Sequence, residues 1–155
     1  MKRFLCFLVL LAAGLTSAYS QGDLRLGVNA GVPVGDAADV SSFNAGADVA
    51  YLMGFGDTFQ VGPMVGYSHF FGDDDFDDFQ FLPIAATARF GLAGLELGLD
   101  LGYGLGISDD LDGGFYYRPK IGFGLFGLSL IGSYTGISDD SVTFSTVNVG
   151  LEFRL

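Results

Sequence analysis

The stretch LELGLDLGYGLGI, residues 95–107, restricts the fold more than any other part of this chain. Leu95, Leu97, Leu99, Leu101, Tyr103, Leu105 and Ile107 occupy one set of alternate positions. Glu96, Gly98, Asp100, Gly102, Gly104 and Gly106 occupy the other. A helix would spread both sets around its circumference, whereas a strand points successive side chains to opposite faces and separates them completely. The same alternation begins at Leu24 and runs to the end of the chain. It predicts eight strands, near 24–34, 42–53, 59–70, 79–90, 95–107, 115–124, 128–137 and 142–155.

The connections alternate as well. GDAADVS, GDDDFDD, SDDLDGG and SDDS are acidic, while FGDT, GLAG and FG are short and nearly neutral. An up-and-down meander therefore gathers the acidic loops at one end, and the tight turns with both termini at the other. The pentapeptide GISDD occurs at Gly106–Asp110 and again at Gly136–Asp140. That spacing is one strand down, a turn and one strand back, so the two copies read as equivalent exits at one rim. No wider repeat surrounds them.

At 155 residues there is room for one domain. Half the residues are apolar and only 16% are charged, yet the net charge is −11. Outside the N-terminus there is no apolar run of the roughly 20 residues that a membrane helix needs. The N-terminus itself, MKRFLCFLVLLAAGLTSAYSQ, has a basic start at Lys2 and Arg3, an apolar run over Phe4–Leu15 and a small-x-small site at Ala18-Tyr19-Ser20. Residues 1–20 read as a secretory signal peptide cut before Gln21, leaving 21–155 as the barrel domain. Cys6 leaves with the signal, so the mature chain has no thiol for a disulfide or a metal.

Which face of the closed sheet looks inward follows from what each face can tolerate. A soluble barrel would turn Leu, Phe and Tyr inward and show water a surface of Gly, Ser, Ala and Asn. Eight strands cannot hold so many large side chains inside. Inverting the barrel puts the apolar face against lipid and the small or charged residues in a narrow lumen. Ten or eleven residues at about 3.3 Å each, tilted by about 40°, span roughly 25 Å of membrane. Aromatic residues support this arrangement, since two girdles are expected at the two lipid interfaces. Tyr67, Phe70, Phe71, Phe79, Tyr103, Phe115, Tyr117 and Tyr134 lie toward the acidic loops. Tyr51, Phe55, Phe59, Phe90, Phe123, Phe126 and Phe153 lie toward the tight turns. The expected fold class is all-β, an eight-stranded antiparallel up-and-down transmembrane β-barrel.

In this pattern, over the whole mature chain, the sequence resembles the small eight-stranded outer-membrane barrels of OmpX and OmpA-transmembrane-domain type. The most specific part is the C-terminal strand VNVGLEFRL, in which Val147, Val149, Leu151, Phe153 and Leu155 alternate up to the last residue. It is similar to the signal read by the barrel-assembly machinery, although that signal usually ends in an aromatic and this chain ends in Leu155. The resemblance implies an outer-membrane location in a Gram-negative cell, with loops extracellular, termini periplasmic and the protein a monomer.

Sorting the charges by place separates two groups. Arg25, Asp48, Arg89, Glu96, Asp100, Arg118, Lys120, Glu152 and Arg154 fall on lumen-facing positions. A low-dielectric interior tolerates charges only when they are paired, so a salt-bridged plug is expected rather than an open pore. Arg89 and Glu96 flank the GLAG turn symmetrically and should lie opposite one another. Closure of the barrel should bring Arg25 near Glu152 and Arg154, and Asp100 can reach Lys120 or Arg118. A thin ion path beside the lumen glycines stays open as an alternative.

The loops hold Asp36, Asp39, Asp73, Asp74, Asp75, Asp77, Asp78, Asp109, Asp110, Asp112, Asp139 and Asp140, and no base. Asp73, Asp75 and Asp77 have the spacing of a calcium loop's first ligands, but Asp78 replaces the required Gly and Ile84 the required Glu. It is not an EF-hand. Two readings remain for the rim: a solvated acidic surface, or weak calcium or magnesium binding that bridges it to lipopolysaccharide phosphates. Asp73, Asp75, Asp77, Asp78, Asp109, Asp110, Asp139 and Asp140 are the candidate cation residues. No other cofactor is implied. Nucleic acid is excluded as a partner, because its phosphates would be repelled.

Some barrels of this group are lipid A deacylases or acyltransferases. Here the single histidine, His69, follows Ser68 directly. Adjacent strand residues point to opposite faces, which opposes a Ser–His catalytic pair, and YSHFF lacks the His-x-Ser spacing that the deacylase resemblance requires. The expected role is therefore non-enzymatic, structural or surface-interactive, with lipid and lipopolysaccharide as surroundings. A narrow channel is the first alternative and a lipid-modifying enzyme the second.

Overall fold

A computed structural model of the chain describes residues 22–155; the signal peptide expected over 1–20 lies outside them. The strands are β1 (Gly22–Val34), β2 (Ser41–Phe55), β3 (Phe59–Gly72), β4 (Phe79–Leu92), β5 (Leu95–Gly106), β6 (Gly114–Leu125), β7 (Leu128–Ser138) and β8 (Thr143–Arg154). Each pairs antiparallel with its neighbour in sequence, and β1 pairs with β8 to close the barrel. No strand end departs from its expected place by more than two residues. The first loop folds as a short 3-10 helix, Gly35–Asp39.

The tight turns explain the register. Ala93–Gly94 and Phe126–Gly127 form two-residue hairpin connections in which all four residues have φ between 52° and 85°. This is the mirror-image turn whose twist matches that of the flanking strands, and a second-position Gly favours it. Leu92 then faces Leu95, and Leu125 faces Leu128. One consequence corrects an expectation. Arg89 lies opposite Gly98 and Glu96 opposite Gly91, so Arg89 and Glu96 are diagonal neighbours rather than a directly opposed pair. The turn centres between Ala93 and Gly94, one residue later than the symmetry of Arg89 and Glu96 requires.

The two faces separate as the alternation demands. Leu97, Leu99, Leu101, Tyr103 and Leu105 stand exposed on the outside, while Asp100 is 0% exposed inside. The outer face is apolar and the buried residues line the lumen, the arrangement that a surrounding bilayer stabilises. The girdle of aromatics needs one correction. Tyr67, Phe71, Tyr103, Phe115 and Tyr134 are on the outer face, but Phe70 is buried and stacks on Phe79 at 4.7 Å between ring centres. Strand parity decides this: with Tyr67 and Phe71 outward, Phe70 must point inward, and Phe79 pairs with it across β3 and β4.

Candidate functional site

The lumen has two halves of different chemistry. Toward the acidic loops it is filled with rings. Phe70, Phe79, Phe81 and Phe144 form one cluster, with Phe81 and Phe144 centres 5.6 Å apart and Phe79 and Phe144 centres 5.2 Å apart. Tyr116, Ile137 and Met64 join it, and Ala37 of the 3-10 helix is buried in the same cluster. Inward aromatics on β3, β4 and β8 thus stopper the loop end. On the same inner face Asn44 donates from Nδ2 to Ser68 Oγ at 2.9 Å and Asn148 from Nδ2 to Thr146 Oγ1 at 2.8 Å, while the buried Asn148 Oδ1 has no partner among the described residues.

Toward the turns the lumen is filled with ion pairs, and they fall into three groups, each neutral. In the first, Arg118 donates from Nη1 to Asp48 at 2.9 Å and from Nε to Asp100 at 2.8 Å, and Lys120 Nζ reaches Asp100 at 2.7 Å. In the second, Arg89 meets Glu96 and Glu152, each at 2.8 Å, while Arg25 meets Glu152 at 3.0 Å and Glu96 at 3.4 Å. The third is Arg154 with Asp23, at the mouth. Arg89 is 1% exposed, so its charge is tolerable only because two carboxylates surround it. Glycines make this space: a Cβ on Gly98 would lie 2.8 Å from Lys120 Cγ and 2.9 Å from Arg89 Cδ. Two voids of about 20 Å³ adjoin the network, each the size of a single water.

Eight of the nine residues expected on the lumen are thus held in the first two groups. Arg154 is the exception. It lies across from Arg25 in the β1–β8 register, but its side chain is 52% exposed and it binds Asp23 rather than the buried cluster. Asp23, at the start of β1, stands outside the nine charges expected on the lumen. The signal that would have found it is closure itself, because Arg154 at the end of β8 must meet the start of β1. Gln60 links the two groups, accepting from Arg25 at 2.9 Å and donating to Asp23 at 2.9 Å.

At the other end all twelve loop aspartates lie outside the strands, with no Lys, Arg or His among them. Among the described residues no group of three or more acidic or histidine side chains is placed to hold a metal ion. Asp73 and Asp139 cap the next residue's backbone N–H within their own loops. Asp78 is tied down more firmly. Its Oδ1 accepts the Gly72 N–H at 2.9 Å and its Oδ2 lies 3.0 Å from His69 Nε2. These contacts, the histidine first, hold the Asp78 carboxyl below its ordinary pKa. His69 is outward-facing, with Tyr67 Oη 3.1 Å from Nδ1 and the Phe71 ring 4.4 Å away; Phe70, its neighbour in sequence, points inside. Ser68 points inward onto Asn44, so Ser68 and His69 do not converge. On β8, Val147, Val149, Leu151 and Phe153 line the outer face, and Leu155 follows, exposed.

No family model and no curated protein matches this sequence. Solved structures do. The attachment invasion locus protein Ail of Yersinia pestis superposes with a TM-score of 0.62 at 17% identity, covering 87% of this chain and 98% of that one. The outer-membrane enzyme PagL gives a TM-score of 0.61 at 10% identity over 83% of this chain and 98% of that chain. Neisserial surface protein A gives 0.58 at 12% identity over 85% and 97%. The fold is that of the small eight-stranded outer-membrane barrels. At these identities the likeness carries the architecture, and an enzyme stands among the neighbours beside proteins named for surface roles.

Proposed function

We propose that this chain is a non-enzymatic integral protein of the Gram-negative outer membrane, a monomer with acidic loops outside the cell and termini in the periplasm. Its working surface is the loop rim. The observation that carries this reading is the filled lumen: rings stopper one half and neutral ion-pair groups occupy the other. What is left with distinctive chemistry is a rim of twelve carboxylates without a base. Such a rim attracts cations or a cationic partner and repels polyanions. Divalent cations held diffusely there would bridge it to lipopolysaccharide phosphates, so envelope integrity and surface contact are served by the same charges. The outward row Val147, Val149, Leu151, Phe153 and Leu155 is the surface offered to the barrel-assembly machinery.

Two measurements test this together. The folded barrel in a planar bilayer is expected to be electrically silent, and an oligolysine peptide is expected to bind it in low salt. Replacing Asp73, Asp74, Asp75, Asp77 and Asp78 with Asn should weaken that binding severalfold. Stable single-channel steps would replace this reading with a narrow channel. Unchanged peptide binding in the five-site variant would remove the rim from the function.

A further inference from the structure

At the loop end the apolar outer wall stops at a rim of carboxylates. At the turn end it stops on one side only. In ring order the turn end carries the two termini, the β2–β3 turn, the β4–β5 turn and the β6–β7 turn. The first two of these close the wall with polar groups. Arg154 meets Asp23 at the termini, and Asp57 and Thr58 form the exposed tip between Phe55 and Phe59. The other two do not. No charged residue lies between Arg89 and Glu96, whose side chains pair in the lumen, and none lies in residues 121–138. Leu92 and Leu95 flank one tip and Leu125 and Leu128 the other, all exposed. The lipid-facing wall therefore runs on over both tips with no charge to end it.

Phe126, at the β6–β7 tip, is fully exposed and has φ 55°. A large side chain at that dihedral crowds its own backbone, which is why Asn, Asp or Gly ordinarily takes this place in a two-residue turn. An exposed ring recovers none of that cost by packing within the chain, whereas an apolar surrounding phase would recover it through burial. The turn backbone is suited to such a phase, where carbonyls need partners from the protein itself. Gly94 O accepts the Gly124 N–H at 2.9 Å, and Gly127 O accepts the Arg154 N–H at 2.8 Å. The first of these bonds also ties the end of β6 to the β4–β5 turn, so the two tips act as one surface. That surface continues the wall already facing hydrocarbon, and its occupant is the same lipid leaflet. We propose that the β4–β5 and β6–β7 tips are immersed in the leaflet at the turn end, while the β2–β3 turn and the termini stay in water. The barrel then stands tilted, with the β4–β7 side of its turn end drawn into the membrane. The tilt follows from the membrane span and does not depend on what the acidic rim binds.

The chain has no tryptophan, so one substitution supplies a single fluorescent reporter. Phe126→Trp and Thr58→Trp are compared in the full barrel in lipid nanodiscs, where both membrane faces meet the solution. An unheated gel checks that each is folded. Phe126→Trp should be quenched severalfold more than Thr58→Trp by lipids brominated near the carboxyl end of their acyl chains. Aqueous acrylamide should quench the two in the reverse order. Leu125→Trp, at an ordinary strand position, should behave as Phe126→Trp does and carries the test if the turn variant does not fold. Equal bromine quenching at the two tips would mean that the whole rim is immersed alike, and overturns the tilt. A tip at 125 or 126 that acrylamide reaches and bromine does not would lie in water, and overturns the immersion. Shielding from both quenchers would place a protein partner or a second copy on the tip, and overturns lipid as its occupant.

Discussion

The two halves of the lumen fill the same cylinder by opposite means. At the loop end, Phe70, Phe79, Phe81 and Phe144 exclude water by bulk, and no member needs a particular partner. At the turn end, each charge of Arg25, Arg89, Arg118, Lys120, Asp48, Asp100, Glu96 and Glu152 is admissible only because its partners are in place. The difference is one of failure. Trimming a ring leaves a void, whereas deleting one charge leaves the opposite charge buried and unpaired, which is the costlier fault.

The sharpest way to break this comparison is Arg89→Ala. It leaves Arg25 alone to serve both Glu96 and Glu152, so one buried negative charge goes uncompensated, and the expected loss is about 3–5 kcal/mol in urea unfolding from lipid vesicles. Unchanged stability in that variant, alongside a loss in Glu96→Ala, would show the pairing to be wrong. Phe81→Ala comes next, at about 3 kcal/mol, with the loss independent of salt because no charge is exposed. Gly98→Ala should cost about 1–3 kcal/mol, since the new methyl meets the mid-stems of Lys120 and Arg89, whose charged ends are held in ion pairs.

The smallest effect belongs to the rim. Asp78 has a depressed pKa in the folded state, so its tie to His69 and Gly72 contributes above the ordinary carboxylate pKa of 3.8. That contribution is lost as pH falls through the lower folded value. Carboxyl NMR should show Asp78 titrating below the other loop aspartates, and His69→Ala should move it back toward them. An Asp78 that titrates with its neighbours in the native barrel would remove the tether.

Much of the fold is legible in the sequence because period-2 alternation leaves a strand no freedom about which face each residue takes. Acidic and neutral connections then order the ends. Pair contacts are less legible. Arg25 with Glu152 follows from closure, but the diagonal placing of Arg89 and Glu96 depends on where the Ala93–Gly94 turn centres. Phe70 and Phe79 depart from the expected girdle because strand parity, and not aromatic character, sets which face a ring takes. Asp23 with Arg154 joins residues 131 apart in sequence, which no local pattern reports.

Alternation alone determined the strands, the up-and-down order, and which face is apolar and which carries the charges. Those properties are local, set by the geometry of each strand. The tertiary structure decided that the lumen divides into an aromatic stopper and three neutral ion-pair groups, and that closure brings Arg154 onto Asp23. These depend on how far each strand is staggered against the next around a closed ring, and stagger is a property of the whole circuit that no single strand encodes.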